Sequence, residues 1–184
     1  SQYINMFKAA KMDAVILTHN IDQPFISQLE QKNEGIKFQR IDADVTDALK
    51  SKTSKKAEKE MEEQAESISK LMKKALKNDK ITVKVEKLKN KKISSMITLS
   101  EESRRMQDMM KMYGMTGMDP SMFGGQETLI LNAKHPLVQY ILKNGENDNT
   151  SLFCEQLYDL AMISHKPLSP DEMTKFVSRS NQIM

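Results

Sequence analysis

The stretch KITVKVEKLKNKKISSMITL, Lys80 to Leu99, contains two candidate strands and decides the fold class. In its first half, Ile81, Val83 and Val85 alternate with polar neighbours, which is the period-two pattern of a strand with one buried face. The polar tetrapeptide KNKK follows, and ISSMITL then forms a second apolar run. The pattern predicts a β-hairpin with the lysine-rich tetrapeptide as its turn.

The neighbouring segments supply a third strand and the helices that would cover the sheet. ETLILNA (127–133) is a further short strand, and HPLVQYILKNG (135–145) is a helix with Pro136 in its first turn. The fold class is therefore α+β, a small three-stranded sheet packed with helices. A long amphipathic helix precedes the hairpin, with its apolar side chains in an arc of about 140°: Ala57, Met61, Ala65, Ile68, Leu71, Met72, Ala75 and Leu76.

Two consecutive helices are predicted at the end of the chain, in 150–166 and 169–184. The second has strong start signals, with Ser169 as N-cap and Pro170 at the first helical position. Their apolar residues cover more surface than the core of one small domain needs. We expect a two-helix dimerisation hairpin, giving a four-helix bundle in the dimer. The candidate interface residues are Leu152, Phe153, Leu157, Leu160, Met173, Phe176, Val177 and Ile183.

The first part of the chain has a different pattern, in which a strand, a helix and a strand follow one another. Ala14 to Leu17 is a continuous apolar run, Pro24 suits the first turn of a helix, and IKFQRID (36–42) alternates. This order predicts a βαβ-like fragment. Because two strands make a marginal sheet, we expect 1–49 to be the end of another domain, in a chain cut from a longer protein. A second domain is expected in 50–184.

The chain has 184 residues and a net charge of only +3, but the charge is uneven. Lys50 to Lys92 holds 15 lysines and 7 acidic residues, a local charge of +8. A basic stretch can bind nucleic acid, yet these lysines are interleaved with glutamates and almost no aromatic residue is present to stack on bases. A solvated charged surface is therefore favoured. A nucleic-acid- or ribosome-associated adaptor remains the alternative interpretation.

Little in the sequence suggests catalysis or metal binding. The three histidines, His19, His135 and His165, have no carboxylate or cysteine at ligand spacing and are expected in loops or helix caps. The single cysteine, Cys154, lies among apolar helix residues, so a packed thiol is expected. One cysteine also suits a reducing cytoplasm. We find no apolar run of about 18 residues and no signal peptide, and we predict no catalytic residue, cofactor or metal.

The segment SRRMQDMMKMYGMTGMDPSMFGG (103–125) holds seven of the fifteen methionines. Helical spacing leaves two interpretations open, a stripe packed in the core or an apolar surface. The apolar set continues into a glycine-rich loop that cannot pack rigidly, and methionine is overused on surfaces that accept many shapes. We therefore expect an adaptable binding surface formed by Met106, Met109, Met110, Met112 and Tyr113.

Four strings resemble, in the correct order, the ninety-kilodalton heat-shock chaperone family. DAVILTHNIDQPFISQLE (13–30) is similar to the close of its middle domain, although HNIDQPF is less acidic than the family string. SRRMQDMMKMYGM (103–115) resembles its methionine-bearing helix, and LILNAKHPLVQYIL (129–142) its LN…HPLV element. LSPDEMTKFVSRSNQIM (168–184) resembles its final dimerisation helix. The bacterial branch is indicated, since no acidic EEVD-type tail for repeat-domain cochaperones follows NQIM.

The resemblance implies an ATP-driven, dimeric chaperone in the cytoplasm. ATP and magnesium would bind in an N-terminal domain outside this chain, so the chain alone is expected to have no ATPase activity. It would form a homodimer through its last two helices. Unfolded or partly folded client proteins would contact the methionine helix, and neither a membrane nor a nucleic acid is expected as a partner.

Overall fold

The structure is a computed structural model that describes residues 2–19, 21–41, 50–51, 55–100, 105–106, 109–110 and 127–184. The described part contains a three-stranded sheet and six helices, which confirms the predicted α+β class. In chain order the elements are α1 (Gln2–Ala9), α2 (Asp22–Lys32), α3 (Lys55–Leu76), β1 (Thr82–Glu86), β2 (Ser95–Leu99), β3 (Glu127–Asn132), α4 (Pro136–Asn144), α5 (Thr150–His165) and α6 (Pro170–Ile183).

The sheet has the strand order β1-β3-β2, so the predicted β1–β2 hairpin is wrong. β3 lies between the other two strands, parallel to β1 and antiparallel to β2. The reason lies in the side chains. Leu129, Ile130 and Leu131 of β3 are buried on both faces of the sheet, as a central strand requires. β1 carries the exposed Lys84, and a charged side chain suits an edge strand.

One face of the sheet forms the main core with α3, α4 and α5. Ile97, Leu129 and Leu131 of the sheet are completely buried in one cluster with Ile68 and Met72 of α3. This confirms the apolar stripe predicted for the long helix from Ala65 to Leu76, whereas the side chain of Ala57 lies outside the described residues. Burying such side chains contributes about 1.5–3 kcal/mol each to folding. The same cluster includes Val85, Val138, Ile141, Cys154, Leu157 and Ala161.

The opposite face of the sheet is covered by α1. Tyr3, Met6 and Phe7 are buried in a second cluster with Ile130 of β3. The Tyr3 hydroxyl also donates a 2.6 Å hydrogen bond to the carbonyl oxygen of Ile97. α1 therefore packs with the sheet formed by residues 82–132. The domain boundary between residues 49 and 50 stays a prediction.

The βαβ-like fragment is only partly present. Its helix is α2, but the described residues Ala14–Leu17 and 36–40 form no strand, so both strand predictions are wrong for this structure. Val15 is 80% exposed, whereas a buried strand was expected. A strand is stable only when neighbouring strands satisfy its backbone groups. No neighbouring strand lies beside either segment among the described residues, and the apolar runs remain open to solvent.

The helix termini follow the sequence signals closely. At the start of α6 the Ser169 hydroxyl accepts a hydrogen bond from the Glu172 amide, and the Glu172 carboxylate accepts one from the Ser169 amide. This is the reciprocal capping box. His135 caps α4 by accepting from the Leu137 amide, which agrees with the predicted cap role for a histidine. Gly145, with φ +62°, ends α4 as predicted.

Candidate functional site

The residues predicted for the dimer interface all lie on α5 and α6, but their burial differs. Leu157 is fully buried, so it belongs to the core of the protomer and not to an exposed surface. The other seven keep part of their side chain at the surface. Leu152, Phe153, Phe176 and Ile183 are half-buried, and Leu160, Met173 and Val177 are exposed.

The exposed members form an apolar face on the last two helices. Met173 and Val177 lie one turn apart on α6, and Val177 is 50% exposed. Leu160 on α5 is exposed too, as is Ile163 three residues later, which the sequence analysis did not include among the interface residues. Exposed apolar surface of this kind marks an interaction site more often than an ordinary surface. We call this set, Leu160, Ile163, Met173 and Val177, the α5–α6 face.

A polar layer joins α5 to α6 beside this face. Arg179 of α6 is only 9% exposed, and its guanidinium donates to Asp159 at 2.7 Å and to Glu155 at 3.2 Å. The Gln156 side-chain nitrogen donates to the Ser180 hydroxyl at 2.9 Å. Sequence reasoning missed this layer. The available signal was an arginine between apolar α6 residues, opposite two acids spaced i, i+4 on α5.

Cys154 is buried on the core side of α5, as predicted. Burial raises the pKa of its thiol to about 12, because a thiolate would lose its hydration there. The nucleophile in disulfide exchange is the thiolate. At pH 8 we expect an aromatic disulfide reagent to label the folded chain at least about 100-fold more slowly than a free cysteine. The same chain in denaturant should react at the ordinary rate, whereas fast labelling of the folded chain would contradict the packing of α5.

The methionine segment is described at only four positions. Arg105, Met106, Met109 and Met110 have helical backbone, in agreement with the predicted helix. Met106 and Met109 are exposed, Met109 by 51%, and Met110 is half-buried. Two further predicted residues of this surface, Met112 and Tyr113, lie outside the described residues, as does the predicted loop after them.

An ion pair connects the methionine segment to α2. The Arg105 guanidinium donates to both oxygens of the Glu30 carboxylate, at 2.9 and 3.0 Å, in a bidentate arrangement. The same carboxylate accepts a 2.7 Å hydrogen bond from the Phe38 amide. Glu30 therefore joins three parts of the chain: α2, the segment after it and the methionine segment.

This ion pair should make the position of the methionine segment depend on pH. The Arg105 and Phe38 hydrogen bonds lower the pKa of Glu30 below its ordinary value of 4.5. The contact is therefore fully formed above pH 4.5 and is lost as the pH falls through the lowered pKa. We expect the methyl NMR signals of Met106 and Met109 to shift in that acid range. Glu30→Gln should cause the same shift at pH 7.

The control for that experiment is Glu34→Gln, which changes a nearby exposed glutamate that makes no ion pair in the described part of the chain. Its methionine signals should match those of the wild type at pH 7. If Glu30→Gln also leaves both signals unmoved, the ion pair does not hold the segment.

The remaining chemistry-bearing groups do not assemble into a site. Within the described residues, no three His, Cys, Asp or Glu side chains come close enough to hold a metal ion. His19 lies in an exposed turn, where its ring faces Asp22 at 3.9 Å, and His165 lies in the last turn of α5. None of the described helices has the length and apolar character needed to cross a membrane. The candidate site is therefore a pair of exposed apolar surfaces, one on α5 and α6 and one on the methionine segment.

A small α+β fold with an open apolar two-helix face has the features of a protein-interaction module. The family model described as "Hsp90 protein" matches residues 1–184. The chaperone protein htpG of Bacteroides fragilis (strain 638R) is 34% identical over 152 residues, which cover 79% of this chain and 22% of that protein. Chaperone protein HtpG of Bacteroides thetaiotaomicron is 35% identical over 150 residues, 78% of this chain and 21% of that protein.

These matches establish the family. The chain belongs to the Hsp90 family of heat-shock chaperones and is similar to the bacterial HtpG proteins, which confirms the resemblance found in the sequence. It spans about a fifth of the length of these curated relatives.

Proposed function

We propose that this part of the chaperone holds two protomers together through α5 and α6 and offers its methionine segment to unfolded or partly folded proteins. The observation that carries the first half is the α5–α6 face. Four large apolar side chains stay exposed on these two helices, although the other side of α5 packs against the main core. Covering these side chains would remove apolar surface from water, which favours association.

A second copy of the chain is the partner that suits this face best. Two helices from each protomer, related by a two-fold axis, would form the predicted four-helix bundle and cover each other's apolar stripes. An interface of this kind would bury on the order of 2,000 Å². In a two-fold interface every residue acts twice, so four exposed apolar residues per protomer contribute eight buried side chains.

The client-binding half of the proposal rests on the exposed Met106 and Met109. Their unbranched side chains can change rotamer to fit different apolar partners. Low specificity is what a chaperone needs, since its clients share exposed apolar residues and no common sequence. We extend this surface to Met110, Met112 and Tyr113 as part of the proposal.

Activities of the whole protein lie beyond these 184 residues. We propose that ATP and magnesium act in another part of the full-length chaperone and that this part performs no catalysis itself. The proposed location is the cytoplasm, where the single thiol of Cys154 would remain reduced.

Sedimentation equilibrium of the 184-residue chain tests the first half of the proposal. We expect a dimer at micromolar concentration, with a dissociation constant that changes little between about 0.05 and 0.5 M salt, because apolar contacts are not screened. A chain that stays monomeric at 100 times that concentration would contradict the proposal. Suppression of client aggregation by the wild type, and its loss in Met106→Ser/Met109→Ser, would test the second half.

A further inference from the structure

The polar layer between α5 and α6 has a consequence for self-association. We propose that Arg179 is a positioning residue, which fixes the rotation of α6 so that the stripe with Met173 and Val177, and not the stripe with Phe176 and Ile183, faces the second protomer. The inference rests on the proposed dimerisation through the α5–α6 face. Arg179 itself would not touch the partner, because it is buried within its own protomer.

The α6 helix has two apolar stripes that compete for α5. Met173 and Val177 lie at nearly the same angle around the helix, and Phe176 and Ile183 lie together at an angle roughly 60–120° away. Both stripes consist of large apolar side chains, so hydrophobic burial alone gives little preference for either. In the structure the first stripe is exposed and the second is half-buried.

The surface of α5 that faces α6 does not determine which of the two stripes packs against it either. Apolar side chains surround this helix widely, since Leu152 is half-buried and Leu160 and Ile163 are 37% and 39% exposed. A rotated α6 would find apolar contacts there as well. Sequence-based placement of α6 is ambiguous for the same reason.

The polar layer removes the ambiguity. Glu155 and Asp159 lie one turn apart on α5, and Arg179 contacts both, with its Nη2 3.0 Å from Glu155 and its Nη1 2.7 Å from Asp159. Turning α6 by about a quarter of a rotation would carry the guanidinium away from both acids and leave the largely buried Asp159 carboxylate unpaired, which is strongly unfavourable. The Gln156–Ser180 hydrogen bond would break in the same movement.

This layer is better suited to specifying a geometry than to adding stability. Replacing a buried ion pair by apolar residues is often neutral or stabilising, whereas a buried polar group can fix the register of packed helices. The Gln156 side-chain oxygen supports this view, since it is buried and accepts no hydrogen bond from the described residues. A layer selected for stability alone would not leave such a group unsatisfied.

The first test compares Arg179→Leu with Lys175→Leu, which removes one positive charge from an exposed site on the same helix. By sedimentation equilibrium we expect Arg179→Leu to weaken the dimer at least about tenfold, and Lys175→Leu to change it less than about twofold. The melting temperature of Arg179→Leu should fall, because the largely buried Asp159 carboxylate loses its partner, but circular dichroism should show that the variant is still folded at about 25 °C. An unchanged dissociation constant for Arg179→Leu would overturn the inference, as would a loss of dimer explained by unfolding.

The second test reads the rotation of α6 directly and does not depend on dimerisation. In a Leu160→Asp background, used to keep the chain monomeric, Val177→Cys provides a thiol that reacts while Cys154 stays protected. Adding Arg179→Leu should slow labelling of that thiol at least about fivefold, because α6 turns Val177 toward α5. Equal labelling rates would show that Arg179 does not set the rotation. A monomeric wild type would refute the proposed function, yet this labelling result would still decide the role of Arg179.

Discussion

Replacing Asn132 by alanine is expected to lower the free energy of unfolding by about 3–5 kcal/mol, a large effect for one polar residue. Asn132 is the last residue of β3 and is completely buried. Its side-chain oxygen accepts hydrogen bonds from the amides of Leu88 and Lys134, and its nitrogen donates to the carbonyls of Asn90 and Ile93. All four hydrogen-bonding positions of the amide are therefore used.

The expected loss of stability is large because the hydrogen bonds of Asn132 fix the connection between β1 and β2. Leu88, Asn90 and Ile93 belong to the connection that leads from β1 around the end of β3 to β2. The backbone of this connection forms an isolated β-bridge between Lys50 and Leu88, and the Asn132 side chain satisfies further amides and carbonyls that are buried there. Alanine would leave several of them without a partner, each at a penalty of about 1 kcal/mol or more.

Thermal unfolding followed by circular dichroism measures this prediction, and Asn78→Ala is the matched control. The Asn78 side chain accepts one hydrogen bond, from the Lys80 amide, in an exposed turn after α3. Its loss should change stability by less than about 1 kcal/mol. For Asn132→Ala we expect the melting temperature to fall by roughly 10 °C. If the two variants melt together, the connection between β1 and β2 is held by other contacts.

The sequence was most informative where the signals are local. The stripe of α3, the N-cap at Ser169 and the Gly145 terminus depend on residues a few positions apart, and all three appear as predicted among the described residues. Strand order depends on partners distant in the chain. The alternation before Lys89 identified β1 correctly, but nothing local showed that β3 would enter between β1 and β2.

In the candidate site too, features set by nearby residues were predicted and features set by distant residues were not. Helix periodicity placed the eight interface residues on α5 and α6, but it could not separate Leu157, which the sheet buries, from Leu160, which stays exposed. That distinction depends on the direction from which β2 and α3 approach α5. The sequence analysis did not identify Arg179, because its partners are on another helix, at sequence distances of 20 and 24 residues. The two strands predicted on either side of α2 are not formed in the structure. An apolar or alternating pattern predicts a strand but does not identify a neighbouring strand that would pair with it.

Val177→Asp is expected to weaken self-association at least about 100-fold while leaving each protomer folded. Val177 is 50% exposed in the protomer, so an aspartate there can remain hydrated as long as the chain is monomeric. In the proposed dimer the carboxylate would lose water without gaining a cationic partner, and the two-fold axis would bring in two such charges. Sedimentation equilibrium gives the dissociation constant, and circular dichroism checks the fold.

Val15→Asp is the matched control, since it makes the same chemical change at a site that is 80% exposed and lies outside α5 and α6. It should dimerise like the wild type. If both variants dissociate, added negative charge and not the loss of a specific contact explains the result. If Val177→Asp dimerises normally, the stripe with Met173 and Val177 does not face the second protomer. The half-buried stripe with Phe176 and Ile183 would then be the next to substitute, since it is the other apolar surface that α6 can offer.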